Sequence, residues 1–216
     1  MHKIILIAGF EPFGGEAINS AWETVKAVNG LEVMTGHHVV IKMLPCVFDR
    51  ARHVLTDAIH RVQPDIVIVV GQAGGRSDIS LERIAININD ARIEDNSGQQ
   101  PIDTPVDAAG PAAYFSTLPI KAMMLELRKQ GIPASISNTA GTFVCNHIFY
   151  SMMHSLRERP EVRAGFIHMP YLPQQAARFP GAPSMSGEQM ATALLIATQA
   201  AITTKFDLPV PAGALH

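Results

Sequence analysis

The chain has 216 residues, of which 47% are hydrophobic and 17% are charged, and its formal net charge is −2. A chain of this length can bury one large hydrophobic core, so we expect a single domain over residues 1–216. The small net charge gives no electrostatic basis for binding nucleic acid or an anionic membrane, so the expected partner is a small ligand.

The beginning of the chain and its cysteines indicate the compartment. The apolar run from Ile4 to Ala8 is too short to cross a bilayer, and Glu11 and Pro12 follow where a signal peptide would need an apolar continuation. We therefore interpret this run as the first strand. Cys46 and Cys145 lie far apart and form neither a metal motif nor a disulfide framework, which predicts two free thiols in a reducing cytoplasm.

Short runs rich in β-branched residues alternate along the chain with stretches whose apolar residues repeat at helical spacing. In chain order the predicted elements are a strand over 3–8, a helix over 21–28, a strand over 39–44, a helix over 49–62, a strand over 66–70, a helix over 118–130, a strand over 132–137, a helix over 146–156, a strand over 165–168 and a helix from Ser186 to about Lys205. This alternation requires crossover connections and predicts an α/β fold, a three-layer α/β/α sandwich with a largely parallel twisted sheet.

Three segments fall outside this alternation. Residues 83–90 alternate isoleucine with small or polar residues, which predicts a strand with one solvent-facing side in an added β-hairpin. Residues 90–110 are rich in Asp, Asn, Gly, Gln and Pro, and we expect so long a loop to form a wall of the functional site. The tail over 206–216 contains prolines and no core pattern, so we expect it to be either disordered or an arm packed on another subunit.

Cys145 is the first candidate for chemistry, because it stands where the loop over 138–142 leads into a predicted helix. Backbone N–H groups at a helix start are unpaired and carry partial positive charge, so they favour a thiolate and can hold an oxyanion. This arrangement suits acyl transfer. An unpaired cysteine is also commonly a small buried hydrophobe, so both interpretations stay open.

A cysteine nucleophile needs a base, and His168 is the histidine whose position favours this role. It ends an apolar strand, and we expect the carboxyl end of that strand to lie beside the carboxyl end of the strand before Cys145. A histidine at this place can also be structural. His147 and His154 share a helix with Cys145 at spacings that keep both imidazoles away from the sulfur.

Spacing alone does not identify the acid that would orient the imidazole. The default interpretation of Glu82 is an exposed ion pair with Arg83. The candidates are Asp78, Glu82, Asp90, Glu94, Asp95, Asp103 and Asp107.

Two glycine-rich stretches allow further interpretations. Residues 71–76 lack the Lys-Ser/Thr ending of a P-loop, so a nucleotide site is disfavoured, but residues 74–76 could cradle phosphate in a nucleoside-type phosphorolytic enzyme. Phe10 and Phe13 follow the first strand on a loop rich in Gly and Pro. They either cover a flat apolar ligand or fill the core.

Longer motifs occur at residues 9–15 (GFEPFGG), 71–76 with 82–87 (GQAGGR and ERIAIN), 110–114 (GPAAY), 138–147 (NTAGTFVCNH) and 165–170 (GFIHMP). In this order they resemble the pyrrolidone-carboxylate peptidases, also called pyroglutamyl peptidase I, a family of cytoplasmic cysteine peptidases. The resemblance runs from Leu6 to about Met185.

The resemblance implies a catalytic triad of Cys145, His168 and Glu82 and so selects Glu82 among the candidate acids. It implies hydrolysis of peptides with an N-terminal pyroglutamate through a thioester acyl-enzyme, with no cofactor and no metal, in a cytoplasmic homotetramer. A non-catalytic pyroglutamyl-binding module is the other function that the same pocket would allow.

The resemblance also implies a substrate pocket. Its apolar walls are expected to be Phe10, Phe13 and Phe143, with Gln72 near the lactam and Arg92 beside the cleft.

Two positions depart from the family's pattern. Leu81 precedes Glu82, and Ser20 follows Asn19, where the family is expected to have proline. Both changes affect backbone rigidity more than chemistry.

Overall fold

The structure is a computed structural model that describes residues 3–213. Its strands are β1 (Lys3–Phe10), β2 (Glu32–Met34), β3 (His37–Leu44), β4 (Ile66–Gln72), β5 (Ile79–Glu82), β6 (Ile84–Ile86), β7 (Ala113–Phe115), β8 (Ala134–Ser137) and β9 (Arg163–Met169). Its helices are α1 (Ser20–Ala27), α2 (Phe48–Val62), α3 (Ile120–Lys129), α4 (Val144–Leu156), α5 (Pro173–Ala176) and α6 (Gly187–Thr203).

The main sheet has the strand order β2-β3-β1-β4-β9-β5-β8. Strands β3, β1, β4 and β9 are parallel neighbours. Strand β2 pairs antiparallel with β3, and β5 pairs antiparallel with β9 and parallel with β8. Every residue of β4 is buried, as expected for a central strand covered on both faces. The predicted α/β class with a largely parallel sheet is confirmed.

Helices cover both faces of the sheet. One apolar cluster joins one face to α1, α3 and α6, and a second joins the other face to α2 and α4. The helix predicted over 146–156 is α4, and ten of its thirteen residues are buried, because it packs between α2, β9 and the β6–β7 pair. Among residues 3–213, no helix has the length and apolar character needed to cross a membrane.

The added hairpin takes a different form from the one predicted for residues 83–90. Strand β6 ends at Ile86 and pairs antiparallel with β7, and residues 87–112 connect the two strands. The chain leaves the strand at Asn87, whose side chain donates to the carbonyl of Asp107 at 2.8 Å and accepts the N–H of Asp107 at 2.9 Å. Polar side chains therefore fold this segment into the long loop.

The direction of β8 corrects a second expectation. Strand β5 lies between β8 and β9, and both β5 and β8 run opposite to β9, so the carboxyl ends of β8 and β9 do not share an edge. Ser80 lies opposite His168, and Glu82 lies opposite Phe166. The last residue of β5 is thereby level with the middle of β9, and the candidate residues meet across one face of the sheet.

The described part of the C-terminal tail packs on helix α3 of its own chain. The sequence predicted either a disordered tail or an arm on another subunit. The carboxylate of Asp207 accepts the N–H of Lys121 at 3.1 Å and of Ala122 at 3.0 Å, at the start of α3. Helix α3 follows Pro119 and has no side-chain cap of its own. Asp207 supplies this cap from the tail, whose last residues, 214–216, lie outside the described residues.

We predict that Asp207→Ala lowers the free energy of unfolding by about 1 kcal/mol, the usual cost of losing a helix cap. Asp207→Asn, which keeps an acceptor oxygen, should lose less. Urea denaturation followed by circular dichroism measures both changes, and equal stability of Asp207→Ala and the wild type would contradict the capping role.

Candidate active site

Cys145 is the second residue of α4, and no side chain caps this helix. The loop before it turns at Gly141, whose φ of +79° favours glycine. The helical hydrogen bonds begin with the N–H of His147, which donates to the carbonyl of Phe143 at 3.1 Å. The N–H groups of the first turn, including that of Cys145, therefore lack partners within the helix and can serve an anion beside the sulfur.

The sulfur of Cys145 lies against the backbone of β4 at Gly71. A Cβ atom on Gly71 would be 3.0 Å from Sγ of Cys145 and 2.7 Å from Cζ of Phe166, so only glycine fits. Gly71 is the register partner of His168 in the neighbouring parallel strand β9. Because register partners present their side chains to the same face, the sulfur and the imidazole share one side of the sheet.

His168 and Glu82 form a buried hydrogen-bonded pair. Nδ1 of His168 lies 2.7 Å from Oε1 of Glu82, and the two residues are 4% and 0% exposed. Since a carboxylate only accepts, Nδ1 carries the proton and Nε2 is left as the basic nitrogen. The partner of Glu82 is not Arg83, as the default interpretation held, but Arg76, whose Nη1 lies 2.6 Å from the same Oε1.

Burial and charge set the protonation of these groups. Burial opposes ionisation of Glu82, but His168, the Ser137 hydroxyl and Arg76 outweigh it and lower the pKa of this carboxyl below its usual value. Burial lowers the pKa of His168, although Glu82 acts in the opposite direction. Burial also raises the pKa of Cys145 to about 12, with Glu82 adding to the effect and Arg76 opposing it. These directions oppose the thiolate that the start of α4 favours, and they favour a neutral thiol, a neutral imidazole and a carboxylate.

The phenylalanines of the expected pocket differ in exposure. Phe13 and Phe143 are half-buried with ring centroids 6.2 Å apart, and Phe48 supports Phe143 edge-on at 5.4 Å. Phe10 is only 2% exposed and packs on Phe166 at 6.3 Å. Phe13 and Phe143 thus form an accessible apolar wall, and Phe10 belongs to the core behind it.

The side chain of Gln72 and the sulfur of Cys145 lie on opposite faces of the sheet. Successive side chains of a strand alternate between faces, and Gly71 faces Cys145, so the amide of Gln72 lies on the opposite side of the sheet. There its Oε1 accepts the N–H of Ser20 at 2.8 Å and Nε2–H of Gln175 at 2.9 Å. Proline at position 20 could not donate this hydrogen bond, so the departure at Ser20 affects bonding as well as rigidity.

The long loop over 87–112 is fastened beside the aromatic wall. Asn96 donates to Oε1 of Glu11 at 2.8 Å, and Asp95 accepts the first N–H of α2, that of Phe48, at 3.1 Å. Asp95 is 5% exposed, so this loop is anchored by a buried carboxylate. Arg92 lies on the same loop, where its side chain is exposed.

Two polar residues beside Cys145 were missed as positioning groups. Asn146 accepts the N–H of Ile86 at 3.0 Å and donates to the carbonyls of Ile86 at 2.9 Å and Ile88 at 3.0 Å, which fixes the first turn of α4 to β6. Arg76 was interpreted as part of a phosphate cradle, but its guanidinium is committed to Glu82 and is not free for an anion. The position of Asn146 directly after Cys145, at the start of the predicted helix, was the local signal for it.

Other candidate groups near the site have different roles. Nδ1 of His147 lies 3.0 Å from Oδ1 of Asn89, and burial lowers the pKa of His147 to about 4, so it stays neutral. Cys46 is 3% exposed, and burial raises the pKa of its thiol, to which Cys145 contributes. Cys46 packs in the apolar cluster with α2 and α4, where a substrate cannot reach it.

We predict that Gly71→Ala reduces kcat/KM by roughly 100-fold, because the new methyl group displaces Cys145 or Phe166 by a fraction of an ångström or more. The matched control is Gly187→Ala, whose Cβ would meet its nearest neighbour at an ordinary 3.4 Å. Steady-state assays of both variants, with folding checked by circular dichroism, test this. Full activity in Gly71→Ala would show that the close approach of sulfur to β4 is not required.

Known proteins resemble this chain over nearly its whole length. A family model described as pyroglutamyl peptidase matches residues 3–204. The pyrrolidone-carboxylate peptidase of Escherichia fergusonii is 54% identical over 214 residues, which cover 99% of this chain and 100% of that protein. The protein of the same name from Yersinia pestis is 54% identical over 213 residues, with coverage of 98% and 99%.

Solved structures give the same result for the fold. The crystal structure of pyroglutamyl peptidase I from Bacillus amyloliquefaciens superposes with a TM-score of 0.94 at 47% identity and covers 98% of this chain and 100% of its own. Pyrrolidone carboxyl peptidase from Pyrococcus furiosus gives a TM-score of 0.89 at 43% identity, with coverage of 93% and 98%.

Proposed function

This chain belongs to the pyroglutamyl peptidase family, and we propose that it removes an N-terminal pyroglutamyl residue from peptides through a thioester on Cys145. The observation that carries the proposed mechanism is the buried pair of His168 and Glu82, 2.7 Å apart, on the face of the sheet where the sulfur of Cys145 lies. The three side chains supply a nucleophile, a base and an acid that orients the base.

In the first half of the reaction the sulfur attacks the exocyclic carbonyl carbon of the pyroglutamyl residue while Nε2 of His168 takes the thiol proton. The carbonyl oxygen becomes an oxyanion near the free N–H groups at the start of α4. The C–N bond then breaks, the amine takes the proton from His168 and leaves, and the thioester remains.

In the second half water attacks the thioester carbonyl, and His168 accepts a proton from that water. The C–S bond breaks, free pyroglutamate departs, and the thiol of Cys145 regains its proton. Because the unliganded site disfavours a thiolate, the ion pair of sulfur and imidazolium forms during the attack, and Glu82 stabilises the imidazolium as it appears.

The substrate pocket that we propose has an uncharged, aromatic wall. A pyroglutamyl residue has no ammonium group, so the half-buried rings of Phe13 and Phe143 suit its flat lactam, and Phe10 supports them from the core. The backbone of Gln72, at the end of β4, is the part of that residue we assign to the lactam, since its side chain is engaged on the other face. Arg92 would stand at the exposed rim.

We further propose that residues 1–216 form one domain, and that the protein acts in the cytoplasm as a homotetramer. Two free cysteines suit a reducing compartment. Exposed apolar side chains, including Phe115 at 65% and Ile102 at 67%, offer surface for subunit contacts. Light scattering gives the mass directly, and a monomer in dilute solution would exclude the tetramer.

We predict that Cys145→Ala lowers turnover of a pyroglutamyl chromogenic amide by at least roughly 10,000-fold, because no other group forms the thioester. Cys46→Ser should keep most of the activity, and iodoacetamide should inactivate the wild type by alkylating Cys145. Equal losses in both variants would refute the assignment of roles. Binding of the amide by the wild type without turnover would favour a non-catalytic module.

The acidic limb of kcat/KM follows the protonation of His168. Burial places the pKa of His168 below its usual value of about 6.5, so the basic form persists on the acidic side of that value. We predict that activity is retained just below pH 6.5 and is lost as the pH falls through the lowered pKa. A limb well above pH 6.5 in a full pH profile would contradict this assignment.

A further inference from the structure

Arg76 connects the proposed acid to the loop that carries the proposed nucleophile. Its Nη1 donates to Oε1 of Glu82 at 2.6 Å, and its Nη2 donates to the carbonyl of Thr139 at 3.1 Å. Thr139 lies in the loop over 138–143, which connects β8 to α4, the helix that carries Cys145. One guanidinium therefore joins β5 to the loop between β8 and α4.

The ion pair of Arg76 and Glu82 differs from the surface pairs of this chain. The carboxylate is fully buried, and the Arg76 side chain is 30% exposed. In the pair of Arg61 and Asp57, by contrast, the side chains are 80% and 72% exposed. Exposed pairs contribute little, whereas a buried carboxylate that loses its cationic partner is strongly destabilised. Together with the hydrogen bonds of His168 and Ser137, the charge of Arg76 thus favours an ionised Glu82 inside the sheet.

Both hydrogen bonds converge on one oxygen atom. Oε1 of Glu82 accepts Nη1–H of Arg76 at 2.6 Å and Nδ1–H of His168 at 2.7 Å. The rotation of the carboxyl group is fixed by the two donors together, so loss of the guanidinium would free it to turn away from the imidazole. The guanidinium holds Glu82 through Nη1 and the carbonyl of Thr139 through Nη2, whereas a lysine has only one nitrogen to share.

We propose that Arg76 is a positioning residue of the reaction, which holds Glu82 in the orientation that receives His168 and ties it to the loop before Cys145. This inference rests on the proposed function. It assigns no contact between Arg76 and the substrate.

Four ionisable groups from four segments act on one another here: Arg76, Glu82, Cys145 and His168. The positive charge of Arg76 lowers the pKa of Cys145 and of His168. Its removal raises the pKa of both groups. The acidic limb, which reports the imidazole of His168, should therefore move to higher pH when the charge is lost.

The surroundings of Arg76 allow a chemical rescue. A cavity of about 500 Å³ is open beside it and is lined by Asp78 and by hydroxyl groups from the loop before β5, from β5, from β8 and from the loop after β8. The Arg76→Ala substitution leaves an empty space that is continuous with this cavity. A free guanidinium ion can enter it and restore the missing positive charge and the hydrogen-bond donors to Glu82. The hydroxyl-bearing lining residues are Ser77, Ser80, Ser135, Ser137 and Thr139.

The experiment compares three variants at position 76 in the pyroglutamyl amide assay. Arg76→Ala should lower kcat/KM by roughly 10- to 100-fold, the range expected for a lost hydrogen bond to a buried charge. Arg76→Gln keeps a donor without the charge, and both variants should shift the acidic limb to higher pH. Arg76→Lys keeps the charge, so its limb should stay near that of the wild type while its activity is only partly restored.

Two controls separate positioning from a merely structural role. Arg128→Ala removes a guanidinium that donates to the carbonyl of Ala134 at 2.8 Å, at the other end of β8, and should leave the limb unchanged. Millimolar guanidinium chloride should raise the activity of Arg76→Ala relative to equal sodium chloride, and should not help Arg128→Ala.

The rate of iodoacetamide alkylation of Cys145 gives a readout that needs no peptidase activity. Its pH dependence should move to higher pH in Arg76→Ala. An unchanged limb and alkylation profile, or an activity loss without rescue by guanidinium, would overturn the role of Arg76. A wild type that fails to hydrolyse pyroglutamyl amides would instead refute the proposed function, while the alkylation profiles would still decide the role of Arg76.

Discussion

The hydrogen bond between Glu82 and His168 is the interaction on which the candidate site depends. It crosses from β5 to β9, and it exists because β5 runs antiparallel to β9 and places Glu82 opposite Phe166, two residues before His168 on the same face. In this antiparallel register the last residue of β5 is level with the middle of β9, and its side chain lies on the face that carries Phe166 and His168.

The nucleophile reaches this pair by close packing. Gly71 has no side chain, so the sulfur of Cys145 rests directly over β4, beside the strand that carries His168. The same closeness buries the thiol and raises its pKa. Reactivity then depends on geometry, because the base must receive the proton as the sulfur attacks. Arg76 donates to Glu82, and Asn146 accepts the N–H of Ile86 and so attaches the first turn of α4 to β6.

Local patterns in the sequence were sufficient for much of the fold. The apolar runs of β1 and β4 predict central strands because such strands are buried on both faces, and the Ser186 cap correctly marks the start of α6, since its hydroxyl accepts the N–H of Gln189. Cys145 at a helix start and His168 near a strand end also follow from local spacing. The four-residue strand β5 was missed, because the isoleucine alternation after it gave a stronger signal.

The remaining features are set by distant contacts. The direction of β8 depends on its pairing with β5, and the burial of Glu82 depends on Arg76 across a turn. Neither contact can be predicted from periodicity. Spacing therefore left seven acids as candidates for the group that orients His168, and only the resemblance to the family selected Glu82. The face that Gln72 occupies likewise follows from the register of β4.

Mass spectrometry of the enzyme quenched during turnover of a pyroglutamyl amide tests the covalent role of Cys145 most directly. We predict a mass increase equal to one pyroglutamyl group on the peptide that contains Cys145, labile to hydroxylamine as a thioester is. An adduct on another residue, or turnover that persists when Cys145 is alkylated, would contradict the assignment of the nucleophile.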